Sequence, residues 1–232
     1  MSMGICTGGL LIAVEGIDGA GKTTLAHALA DRFRAAGYLV NYGKEPTAGT
    51  WGQILRASAA NGRLSPAEEL HYLVMDRQEH VASVIAPTLA EGGVVILDRY
   101  YPSTAAYQGA AGLDVDWLLQ QNAFAPVPDV VLLLDVDPEE GLRRIYARGD
   151  TPNHFETPDA LARAREIFLN MPLPTRAVID AHADVQAVER EAWMRILKAL
   201  SEKLARTEGL TVAAAEQLLK IGSHLPTTFA AA

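Results

Sequence analysis

Gly16-Ile17-Asp18-Gly19-Ala20-Gly21-Lys22-Thr23 follows the apolar run Leu10–Val14 and opens a stretch, Thr23 to Ala36, with Leu25, Leu29 and Phe33 at helical spacing. The eight residues satisfy GxxxxGK[ST] in full and stand between a strand and a helix, the context in which that pattern has a mechanism. Glycines let successive backbone N–H groups curl around an anion, and the helix N-terminus adds its dipole. Lys22 then reaches the outer phosphates, and the Thr23 hydroxyl can coordinate Mg²⁺. Gly16, Ile17, Asp18, Gly19, Ala20, Gly21 and Thr24 complete the cradle. The reading is a nucleoside-triphosphate site, with ATP and Mg²⁺ as the expected cofactors.

The rest of the chain alternates in the same way. Leu39–Tyr42, Val94–Leu97, Val130–Leu134 and the short Val178-Ile179 read as further strands. Ser65-Pro66-Ala67-Glu68 offers a capping box and a proline at the first helical position, predicting a long helix through Met75 and Arg77 towards Ile85. Asp137-Pro138-Glu139-Glu140 caps another, and a last helix covers Val188–Leu204. Apolar strands separated by helices predict an α/β fold, a doubly wound parallel five-stranded sheet with helices on both faces. Residues 1–205 should form this domain. Residues 206–232 should be a C-terminal extension, part helical through LTVAAAEQLLK.

Composition narrows the partners. Of 232 residues, 49% are hydrophobic, and the net charge is -8. That balance excludes a nonspecific nucleic-acid binder and a polybasic membrane protein, which both need a spread positive surface. The single Cys6 allows no intramolecular disulfide and fits a reducing cytoplasm. No apolar run reaches the ~18–20 residues of a membrane span, and no basic segment precedes the first apolar stretch as in a signal peptide. The expectation is a cytoplasmic protein without nucleic-acid or membrane partners. None of the five lysines lies in an Asn/Thr-Lys-x-Asp motif, so a GTPase is disfavoured, and the chain is short for a motor. Small kinases remain.

A second constellation follows the Val94–Leu97 run: Asp98-Arg99-Tyr100, continuing Tyr101-Pro102-Ser103-Thr104-Ala105-Ala106-Tyr107-Gln108-Gly109. A carboxylate at the C-terminal end of a central strand lies beside the phosphate loop in doubly wound folds, where it can hold Mg²⁺ through water. Arg99 faces the same crevice. Read together, EGIDGAGKTT, KEP, a helical Asp-Arg, LDRYYPSTAAYQG, PDVVLLLDVDPEEGLRR and VIDA resemble thymidylate kinases in order and spacing over about Leu10 to Leu204.

The resemblance implies a kinase for dTMP and assigns roles. Lys22 and Thr23 bind ATP phosphates and Mg²⁺, with Asp98 in the metal and water network. Asp18 stands near the acceptor's sugar hydroxyl and phosphate, and Arg99 grips the acceptor 5′-phosphate. Arg77 bonds the pyrimidine edge, Thr104 and Gln108 contact the base, and Tyr107 crowds the 2′ side of the sugar. Two positions depart from the family pattern. Leu73 stands where an aromatic usually stacks on thymine, with Tyr72 one helical step away. Lys44-Glu45-Pro46 replaces Arg-Glu-Pro, keeping the charge but losing the bidentate fork. Lys44 and Pro46 belong to the expected acceptor site. The family also implies a homodimer.

Arg144 and Arg148, four apart, share one helical face and can aim at one site. The stretch that follows, with Pro152 and Pro158, lacks periodicity and suits a mobile lid over about 143–165, with Arg163 and Arg165 returning on the next helix. Some thymidylate kinases carry a basic residue inside the phosphate loop; here those spots are Gly19 and Ala20. The lid should then supply the catalytic charge. The alternatives are a kinase for dUMP or dCMP, opened by Leu73, and a nucleotide-binding regulator without catalysis.

Overall fold

The computed structural model describes residues 8–61, 64–149 and 157–209. Its strands β1 (Leu10–Glu15), β2 (Val40–Lys44), β3 (Val94–Asp98), β4 (Val130–Asp135) and β5 (Arg176–Asp180) form one parallel sheet in the order β2-β3-β1-β4-β5. All six residues of β1 and all five of β3 are buried, as strands covered on both faces must be. Alternation along β1 serves two cores. Leu10, Ile12 and Val14 pack with Leu25, Leu29 and Phe33, while Leu11 and Ala13 pack with Ile85, Val95 and Leu97.

Helix α1 (Lys22–Ala35) leaves the phosphate loop, and its Phe33 meets Trp193 of α9 (Val185–Glu208) at 5.1 Å between centroids. Between β2 and β3 lie α2 (Thr50–Asn61), α3 (Pro66–His80), a π-helical turn (Val81–Ile85) and α4 (Ala86–Ala90). The capping box of Ser65 and Glu68 is present. The long helix runs past Ile85 because the π turn takes up Pro87, which has no N–H to give the ladder. Helix α2 has no counterpart in the sequence reading. Its Gly52 and alanines blur the apolar period, and Gly52 is there because a Cβ would lie 2.0 Å from Thr47 O.

Beyond β3 come α5 (Tyr101–Ala110) and α6 (Val115–Gln121); α7 (Pro138–Ala147) and α8 (Pro158–Asn170) follow β4. Asp137 stands at the head of α7, but its carboxylate makes no cap. It pairs instead with Arg165 at 2.7 Å and His182 at 3.2 Å. Helix α9 runs to Glu208 and ends at Gly209, φ 64°. The extension beyond Gly209 and the centre of the expected lid, 150–156, lie outside the described residues. No described helix is long and apolar enough to cross a membrane.

The chain leaves β1 towards β2 on one side and β4 towards β5 on the other, and such switch points open a crevice at the strands' C-terminal ends. Val14 pairs in register with Asp98. The phosphate loop and Asp98-Arg99 are therefore neighbours by topology.

Candidate active site

The phosphate loop is held in a shape only glycine permits. Gly19 has φ 83°, and a Cβ there would fall 2.1 Å from the carbonyl oxygen of Gly141 on α7. Lys22 is buried and donates to Ile17 O at 2.7 Å. Burial, together with the charge of Arg99, pushes its ammonium down to about 8. Thr23 Oγ1 donates to Asp98 Oδ2 at 2.5 Å, and Lys44 Nζ lies 3.2 Å from the same oxygen. Lys44 thus stands beside the phosphate loop and does not line the acceptor cavity described below.

Arg99 is the hinge between the two halves of the site. It is the one non-glycine residue with positive φ among those described, at 74°. That conformation persists only where the surroundings over-determine it. Arg99 N donates to Val14 O, and the next amide, Tyr100 N, donates to Glu15 Oε1 at 2.8 Å. Glu15 Oε2 accepts from Ser103 Oγ at 2.6 Å, and Ser103 in turn receives Arg99 Nη1 at 3.1 Å. Arg99 Nη2 contacts Asp18 Oδ1, while Tyr107 OH donates to Asp18 Oδ2 at 2.8 Å. Burial opposes ionisation of Asp18, but Arg99, Lys22 and Tyr107 outweigh it and hold the carboxyl well below its usual range.

Glu15 was not foreseen. Burial pushes its carboxyl up to about 7, against the opposing pull of Ser103 and Arg99. A carboxyl raised on folding stabilises fully below its unfolded value near 4.5, and this contribution disappears as pH rises through 7. The shift corresponds to roughly 3 kcal/mol. Urea melts should therefore show wild-type stability falling relative to Glu15→Gln between pH 4.5 and 8. A constant difference between the two proteins across that range would contradict the assignment.

A cavity of about 290 Å³ opens beside Arg99, near the lower edge of small-ligand pockets (~300–1,000 Å³). Asp18, Arg99, Ser103 and Tyr107 line one end, and Leu73, Arg77, Thr104, Gln108 and Glu69 line other parts of the wall. Pro46 and residues Leu55, Arg56 and Ser58 of α2 also contribute. Arg77 is 1% exposed. Its Nε donates to Glu45 Oε2 at 2.8 Å and its Nη2 to Thr104 Oγ1 at 3.1 Å, while Nη1 contacts Asn122 Oδ1. Glu45 also meets His80 Nδ1 at 2.9 Å. Tyr72 turns away from the cavity and stacks on Trp51 at 5.9 Å, leaving Leu73 at the wall.

Among the described residues, the buried side-chain polar atoms without a partner are Asp98 Oδ1, Tyr100 OH and Gln108 Oε1. Tyr100 and Gln108 line the cavity, and Asp98 stands against Thr23 of the phosphate loop. None of Arg144, Arg148 and Arg165 lines the cavity. Arg144 Nε bonds Glu140 at 2.6 Å and its Nη2 reaches Ala181 O at 2.8 Å. Arg148 stands at the C-cap of α7 with right-handed helical backbone, four residues on from Arg144. Arg165 pairs with Asp135 at 2.7 Å.

The phosphate loop and a cavity lined by Arg99 meet at one carboxylate, Asp18. An anion on each side of that carboxylate is the arrangement for moving a phosphoryl group between two nucleotides. Fold and site together define a P-loop phosphotransferase of the nucleoside monophosphate kinase type. Residues 14–192 match the thymidylate kinase family. A thymidylate kinase of Xanthomonas euvesicatoria pv. vesicatoria is 59% identical over 205 residues, covering 88% of this chain and 91% of the relative. One from Xanthomonas oryzae pv. oryzae is 58% identical over 88% of this chain and 90% of its own. One from Xylella fastidiosa is 56% identical over 84% of this chain and 90% of its own. The chain belongs to the thymidylate kinase family.

Proposed function

We propose that the protein transfers the γ-phosphoryl group of ATP, in line, to the 5′-phosphate of dTMP, giving dTDP. The observation that carries this reading is the cavity with Arg99 at the phosphate-loop end and the buried Arg77 in its wall. One arginine meets the acceptor phosphate, and the other keeps one N–H, outside its bonds to Glu45, Thr104 and Asn122, for a base carbonyl. ATP phosphates lie on the backbone N–H groups of Gly19, Gly21 and their neighbours, with Lys22 released from Ile17 O to reach the outer phosphates. Asp18 orients Arg99 and Tyr107 towards the acceptor.

Mg²⁺ fits the residues present, because the Thr23 hydroxyl and the Asp98 carboxylate meet at the phosphate loop and Asp98 Oδ1 is buried without a partner. Bound there with ATP, it would neutralise charge on the β- and γ-oxygens. Arg144 and Arg148, at the start of the expected lid, supply further positive charge to the transferring group. Replacing each by Ala in turn should slow kcat at least about tenfold in one of the two variants, with ATP KM changed less. If neither variant slows turnover, the lid role is withdrawn.

The protein is proposed to be a cytoplasmic homodimer. Trp117 and Phe124 are 42% and 39% exposed, and Val127 close by is 64% exposed, an apolar surface that pairing would cover. Sedimentation equilibrium tests the dimer. Coupled ADP release across dTMP, dUMP and dCMP tests the activity. Any acceptor used in preference to dTMP would overturn the reading.

A further inference from the structure

Gln108 of α5 lines the cavity and is 3% exposed. Its Nε2 donates to Glu69 Oε2 at 3.1 Å, and its Oε1 is buried with no hydrogen-bond partner among the described residues. Glu69 is 5% exposed and lines the same cavity from α3. It precedes Leu73 and Arg77 by one and two helical turns, so the three share a face. A carboxylate accepts hydrogen bonds and does not donate them. It therefore holds the amide with its NH₂ turned inward, which leaves the carbonyl oxygen as an acceptor awaiting a donor.

We infer that Glu69 is a positioning residue for base selection: it locks the Gln108 amide so that the cavity offers an acceptor to a pyrimidine carrying N–H at N3. The inference rests on the reading of this cavity as the dTMP site. Arg77, held by Glu45, Thr104 and Asn122, keeps one guanidinium N–H outside those bonds and lines the same wall. Donor and acceptor together match the N3–H and O4 of thymine. Cytosine carries a lone pair at N3 and an amino group at C4, reversing both. A site whose buried polar groups are left unpaired rejects a ligand far more strongly than a mere change of shape does. Were the amide free to turn over, its NH₂ could serve the lone pair of cytosine, and half of that rejection would be lost.

Initial rates with saturating ATP are compared for dTMP and 5-methyl-dCMP, which have nearly the same shape. The proteins are wild type, Glu69→Gln, and the swap Glu69→Gln/Gln108→Glu. An amide at 69 can donate or accept, so the lock is lost in the single variant. The ratio of kcat/KM for dTMP over 5-methyl-dCMP should fall about tenfold, mainly through a higher dTMP KM. In the swap an amide at 69 again faces a carboxylate at 108, and an oxygen again serves the cavity. That variant should recover the wild-type ratio to within about threefold.

A merely structural tie between α3 and α5 would lower the melting temperature without moving the ratio. An unchanged ratio in Glu69→Gln, or a swap no more selective than the single variant, overturns the inference. Wild type alone supplies another arm: N3-methyl-dTMP, lacking the donor, should be used at least about tenfold less efficiently than dTMP. Equal use overturns the inference even if a variant fails to fold. If wild type prefers another acceptor over dTMP, the functional reading itself fails. If it prefers dTMP while the ratios stay fixed, only the role of Glu69 fails.

Discussion

Arg99→Ala should lower kcat/KM for dTMP by roughly 10³, with ATP KM changed far less. Losing one preorganised donor to a developing oxyanion costs about 10²–10³ in rate. Here the loss is compounded, because Asp18 keeps its burial but loses the cation that most strongly opposes it. Its carboxyl should rise towards the ordinary range and no longer hold Tyr107 as firmly. Arg99→Lys tests whether charge alone suffices. A lysine can meet an anion, but it cannot bond Ser103 and Asp18 in one plane as Arg99 does. It should recover no more than about tenfold of the loss. Steady-state rates with dTMP varied at saturating ATP decide the matter. Arg99→Ala within tenfold of wild type would remove Arg99 from the acceptor phosphate.

The phosphate loop and the sheet were legible because their causes are local. Gly19 and Gly21 both adopt positive φ, as a loop wrapped on an anion requires, and the apolar runs of β1, β3 and β4 state their burial directly. Strand ends proved longer by a polar residue, since Glu15, Asp98 and Asp135 pair in the ladder while carrying side chains for the crevice. The even spacing of Glu69, Leu73 and Arg77 was also in the sequence. Glu69 stands in a helix's first turn, where acidic residues are ordinary, and its burial depends on α5, which is distant in the chain. Glu15 was hidden for a similar reason. Its partners Tyr100 and Ser103 meet it only through the β1–β3 pairing. Arg144 had its candidate counter-ion, Glu140, four residues away, yet which of its hydrogen bonds form depends on where the β5 end places Ala181 O.

Lys22→Ala should reduce kcat by roughly 10³, and its pH behaviour identifies the mechanism. The side chain supplies the one lysine charge buried within the loop, where the low dielectric makes it worth far more than in water. In the free protein, burial and the charge of Arg99 push that ammonium down to about 8. A lysine whose value is depressed carries charge below about 8 and loses it above. The profile of kcat/KM for ATP reports groups of the free enzyme, so it should fall about tenfold per pH unit beyond 8. Once the triphosphate is bound its negative charge holds the proton on Lys22, and kcat should stay level over the same interval. Asp18 is held far below this window, while Arg99 and Tyr107 are pushed above it, so none of them supplies the limb. Lys22→Ala should lack the fall beyond 8, and any change left in its low profile should centre near 7, where Glu15 titrates. A wild-type kcat/KM that stays level to pH 9.5 would mean that the Lys22 proton is not the one ATP binding requires.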